Sequence, residues 1–65
     1  MKYKVTKCGS ILSMIVNDLD TLLDKLENLT DDYLEVIEGH SWAEINGVGD
    51  EYHGDYFSIE ILSNY

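Results

Sequence analysis

The chain has no arginine, only four lysines and a single cysteine among 65 residues. Without arginine it lacks the planar, bidentate side chain that reads phosphate and guanine. Its 13 Asp and Glu against four Lys give a net charge of −9, which repels a phosphate backbone. The composition therefore argues against direct nucleic-acid binding and, for the same reason, against an anionic membrane surface. A lone Cys8 cannot close an internal disulfide, which suits a reducing compartment. The longest uninterrupted aliphatic run, Met14-Ile15-Val16, is far too short to span a bilayer, and no basic, apolar leader opens the sequence. Together these features lead to the expectation of a cytoplasmic protein.

What is present supports a folded core. A hydrophobic share of 45%, with five Tyr, one Trp and one Phe, is high enough for one compact domain over residues 1–65. A chain of this length buries only ~60% of its unfolded surface, so modest stability is expected. The charge is unevenly placed: Lys2, Lys4 and Lys7 precede residue 17, and every acidic residue lies at or after Asp18.

The clearest periodicity runs from Asn17 to Leu29. Leu19, Leu22, Leu23, Leu26 and Leu29 recur at three- and four-residue steps and define one stripe of an α-helix. Asn17 is the expected N-cap, with Asp20 near the positive end of the helix dipole. The opposite side carries Asp20, Asp24, Glu27 and then Asp31, with Lys25 beside them.

Residues 2–16 admit two readings. Gly9-Ser10 is a two-residue hairpin signal that would pair Tyr3 with Val16, Val5 with Met14 and Cys8 with Ile11. One face would then hold Tyr3, Val5, Leu12, Met14 and Val16. The rival is a helix running from Ser10 to Leu29, since Leu12, Ile15, Val16 and Leu19 also fit a 3.6-residue period. The β-branched Ile15-Val16 pair favours the hairpin. Further on, Tyr33–Glu38 and Ser41–Asn46 alternate like two short strands about a turn at Gly39-His40. Gly47–Asp55 reads as a loop, Tyr56–Leu62 as a strand with Phe57, Ile59 and Ile61 inward, and Ser63-Asn64-Tyr65 as a tail. The expected fold is α+β: one amphipathic helix packed on a small, mainly antiparallel β-sheet, in the order β-β-α-β-β-β.

No catalytic or cofactor motif accompanies these elements. Asp50, Glu51, His53 and Asp55 crowd oxygen ligands into the loop, but their order does not match a Ca²⁺-binding loop, and Cys8, His40 and His53 do not form a zinc spacing. Neither a metal nor a cofactor is expected. One Cys and two His meet the ingredient list for a thiol nucleophile, as any such chain would, and a short chain has little volume for a substrate pocket. The chain therefore reads as a non-enzyme.

The carboxylates point instead to a protein partner with a basic groove. Those of Asp20, Asp24, Glu27 and Asp31 follow one another at about 5–6 Å along the helix, from its 1.5 Å rise per residue. DNA offers one charge per ~3.4 Å per strand, so the stripe is sparser than a nucleic-acid backbone. Asp18, Asp32, Glu35 and Glu38 would fill it in, the loop with Asp50, Glu51 and Asp55 would assist, and Trp42 and Tyr52 would supply rigid contact area. In size, charge and want of motifs the chain resembles the compact acidic inhibitors that bacteriophages and mobile elements make against host nucleases and restriction or CRISPR systems. The acid stripe reads as an imitation of nucleic-acid charge, that is, as DNA mimicry. The alternative is a structural or regulatory subunit that dimerises or docks through the sheet face left uncovered by a single helix.

Overall fold

A computed structural model describes residues 1–63, and the alternation in the first sixteen of them resolves as a β-hairpin. β1 (Lys2–Lys7) and β2 (Ser13–Val16) pair antiparallel, with Tyr3 opposite Val16 and Val5 opposite Met14, in the expected register. The rival helix from Ser10 does not form. As a strand, β2 sets Val16 beside Tyr3 on the buried face, and all three of Tyr3, Val5 and Val16 are at most 3% exposed.

The turn differs from expectation. The Ser10 N–H donates to the Lys7 carbonyl at 3.0 Å, so Cys8 and Gly9, not Gly9 and Ser10, are its central pair. Gly9 has φ +87°, which suits the third position of a type II turn and which a side chain would resist. Residues 10–12 complete the connection and leave Ile11 and Leu12 exposed at the tip.

α1 (Leu19–Leu29) starts with Asp18 as its cap, one residue after Asn17. The Asp18 carboxylate accepts the Thr21 N–H at 2.7 Å, satisfying a helix-end donor that Asn17 is too far back to reach. That bond is the main cause holding the Asp18 carboxyl below its ordinary value of 3.8. A lowered folded-state value means stability that is present above the unfolded pKa and lost as pH falls through the folded one. Acidification below 3.8 is therefore expected to fray the first turn of α1, seen as loss of helical Cα shifts at Leu19–Thr21. Asp18→Ala should show the same fraying at neutral pH.

The largest departure follows. Residues expected to form two strands form one helix, α2 (Tyr33–Ile45), and Gly39-His40 is not a turn but lies in its middle. Its start is built locally: Asp32 Oδ1 accepts the Glu35 N–H at 3.2 Å, and Thr30 Oγ1 accepts the Asp32 N–H at 3.1 Å. Val36, Gly39 and Ala43 form its buried side. A Cβ at Gly39 would lie 2.8 and 2.9 Å from the Phe57 ring carbons Cε1 and Cζ, so only glycine lets the helix settle this close to the sheet.

β3 (Glu51–His53) occupies part of the stretch expected to be loop, and β4 (Phe57–Ser63) begins one residue after Tyr56. The order is thus β-β-α-α-β-β, in place of β-β-α-β-β-β. The four strands form one sheet, β2-β1-β4-β3, with every neighbour antiparallel. Phe57, Ile59 and Ile61 alternate inward as expected and join Leu22, Leu26 and Val36 in the core. Alternation turns Lys4, Thr6, Ser58 and Glu60 to the opposite face, which is mostly polar apart from Ile15 and Leu62. Of the expected tail, Asn64 and Tyr65 lie outside the described residues. No helix among the described residues is long and apolar enough to cross a membrane.

Candidate protein-binding surface

The leucine stripe fixes which way the acids of α1 point. With Leu22 and Leu26 fully buried and Leu19, Leu23 and Leu29 packed at the margin, Asp20, Asp24 and Glu27 are left exposed on one side. Among the described residues, the contacts of a carboxylate with a basic side chain are His40–Glu44 and His53–Glu51, each at 3.4 Å and charged only when the imidazole is protonated, and neither involves a lysine. Lys25 stands on the same helix, but no lysine pairs with a carboxylate of the α1 ridge. Asp31 and Asp32 continue it into the turn between the helices, both exposed, although Asp32 is also the cap of α2. An open cleft of about 170 Å³, lined by Glu27, Thr30, Asp31, Tyr33 and Val36, marks where the ridge meets α2.

Asp50, Glu51 and Asp55 lie elsewhere. α1 lies along one flank of α2, where the Leu19 carbonyl accepts His40 Nε2–H at 3.0 Å; a carbonyl only accepts, so Nε2 carries the proton. The β3 side meets the other flank, through Glu35 and Trp42. The ridge and the loop are thus separated by α2. Within the loop, Asp50 Oδ2 accepts the Gly47 N–H at 3.0 Å, and Glu51 lies beside His53.

Trp42 and Tyr52 are half-buried and pack on each other rather than projecting. Their ring centroids are 5.7 Å apart, and Tyr52 is in turn 5.8 Å from Phe57. Burial, and then the nearby carboxylates of Glu38, Glu35 and Asp55, push the Tyr52 phenol above its ordinary value. The contact with Trp42 packs this ring against α2.

Glu35 is the residue whose role the sequence reading missed. Its Oε1 accepts the Asp55 N–H at 2.7 Å and its Oε2 accepts the Tyr56 N–H at 2.9 Å, so one carboxylate clamps the β3–β4 turn to α2. Gly54 makes room for it, since a Cβ there would come within 2.9 Å of the carboxylate. Asp32 followed three residues later by Glu35 is a helix-start pattern that marks the beginning of α2, but nothing local signals the bonds to amides 20 and 21 positions away. Glu35→Ala is expected to cost about 2 kcal/mol, because two charge-assisted bonds are lost at a partly exposed site. Urea denaturation would measure the loss, and the Asp55 and Tyr56 amides should exchange faster.

No catalytic grouping is assembled from the candidates. Cys8 is exposed, with its Sγ 3.6 Å from the Gly54 carbonyl, while His40 bonds to α1 and His53 lies beside Glu51. Among the described residues no three His, Cys, Asp or Glu converge as a metal site. No known protein family, characterised protein or solved structure matches the chain.

Proposed function

We propose that the chain is a non-enzymatic inhibitor that occupies a basic, nucleic-acid-binding groove on another protein. The observation that carries this reading is the α1 ridge. Asp20, Asp24 and Glu27 project from one side of a helix whose other side is locked into the core, with no lysine pairing them. A rigid row of anions suits a groove lined by Lys and Arg, and it loses little conformational freedom on binding. Asp31 and Asp32 lengthen the row, and the Asp50–Asp55 loop, across α2, is not needed for it. Blockade is steric and electrostatic, so association is fast and weakens with salt. Host nucleases and other defence or nucleic-acid-processing enzymes, the targets of phage and mobile-element inhibitors, have grooves of this kind. Such a target would be met in the cytoplasm, where an exposed Cys8 stays reduced.

Affinity capture from a lysate, with the full chain as bait, tests this reading. Captured proteins should bind nucleic acid and elute on adding either salt or duplex DNA. Retention indifferent to competing DNA would remove the case for a phosphate-mimicking ridge.

A further inference from the structure

α2 is apolar on two sides. Val36, Gly39 and Ala43 face the core, while Leu34, Ile37 and Ile45, with Ser41 between them, follow one another down the opposite side. On this outer strip Leu34 is 78% exposed, Ile45 84% and Ile37 43%. A surface helix ordinarily carries charge there, and a helix that is apolar all round is ordinarily covered. Glu38 and Glu44 border the strip, one on each side, and α2 carries no lysine.

We propose that this strip docks a helix of a different protein whose own apolar seam is flanked by lysine or arginine. The charge around the strip selects that occupant. A second copy would meet it through a two-fold contact, setting the same surface against itself. Glutamates would then face glutamates with no lysine on either α2, between chains of net charge −9. A partner with basic residues beside its seam instead places them opposite Glu38 and Glu44, as flanking charges do in paired helices. From Leu34 to Ile45 the strip runs about 16 Å, the length of roughly three helical turns. Tyr33, the residue before Leu34, lines a cleft with Glu27, so the first turn of α2 lies beside the end of the α1 ridge. The docking does not depend on the ridge imitating phosphate, only on apolar contact with basic flanks.

The test is an NMR titration of the full chain with a synthetic helical peptide of about 14 residues, its leucine seam bordered on both sides by lysines. Expected are shifts at Leu34, Ile37, Ser41 and Ile45, and no binding by a peptide with glutamate in place of lysine. Leu34→Ser with Ile45→Ser should weaken binding at least about tenfold while leaving the remaining spectrum in place, since both side chains are exposed. Shifts confined to Asp20–Glu27, or unchanged affinity in that double variant, would overturn the proposal in favour of bulk charge attraction. Sedimentation that showed a dimer abolished by the same double variant would overturn it in favour of a second copy.

Discussion

Phe57→Ala is expected to leave about half of the chains unfolded. Phe57 is fully buried at the start of β4, beneath Gly39 of α2 and against the Tyr52 ring, so it joins the sheet to the helix layer. Removing a buried phenyl ring costs about 3–5 kcal/mol, because transfer free energy is lost and a cavity remains. A single core in a chain this short seldom supplies more than about 3–5 kcal/mol in total. Loss and reserve are therefore of equal size. Circular dichroism should show the native signal cut by about half before any urea is added, and a cooperative urea transition like that of the unaltered chain would refute the expectation. The glycine above the ring gives a second measure of the same contact. Gly39→Ala gains about 1 kcal/mol of helix propensity but forces a Cβ against the ring, and overpacking of that kind costs about 1–3 kcal/mol. A net loss is expected, smaller when Phe57→Leu is added than the sum of the two single changes.

Reversing the charge of the α1 ridge is expected to have the largest effect on binding. In Asp20→Lys with Asp24→Lys and Glu27→Lys, each reversal adds two charges, moving the net charge from −9 to −3. All three side chains are exposed and none bonds to the core, so the fold should persist, with a modest penalty where a cation meets the first turn of α1. Association with a basic partner obtained by capture should slow by about 10- to 1000-fold at low salt, and its salt dependence should flatten. Stopped-flow association across a salt series would measure both. The Leu34→Ser with Ile45→Ser variant serves as the contrast, since it leaves every charge in place and should affect chiefly the dissociation rate. If the reversed ridge bound its partner as fast as the native one, blockade by charge would have to be abandoned.

Local pattern was enough wherever a segment shows one face to the core and the other to water. The β1–β2 register followed from alternation, because slipping β2 by one residue would turn Met14 and Val16 away from the face that holds Tyr3 and Val5. The leucine stripe placed α1 and so its acids, and Phe57, Ile59 and Ile61 faced inward as their spacing required. Asp18 replaced Asn17 as the cap, a difference of one residue between two good capping types.

α2 was not legible in that way. Its apolar residues lie on both sides, so no stripe of period 3.6 stands out, and Leu34–Ile37 imitates a strand over the few residues that alternate. Gly39, taken as a turn, is instead the point at which the helix approaches the Phe57 ring. With that segment read as strands, Trp42 and Tyr52 are expected at the surface, and a half-apolar sheet face is expected to lie uncovered by the single helix.

The amino-acid sequence by itself determined the charge, the hairpin register, the leucine helix and the inward side of the last strand. Each is a property of neighbours along the chain and of the periods on which backbones repeat. Only the tertiary structure decided that Tyr33–Ile45 is a helix, that Glu35 holds the β3–β4 turn, and that Leu34, Ile37 and Ile45 remain uncovered. Those outcomes depend on which distant surface a segment meets: Gly39 needed the Phe57 ring, and Glu35 needed the amides of Asp55 and Tyr56.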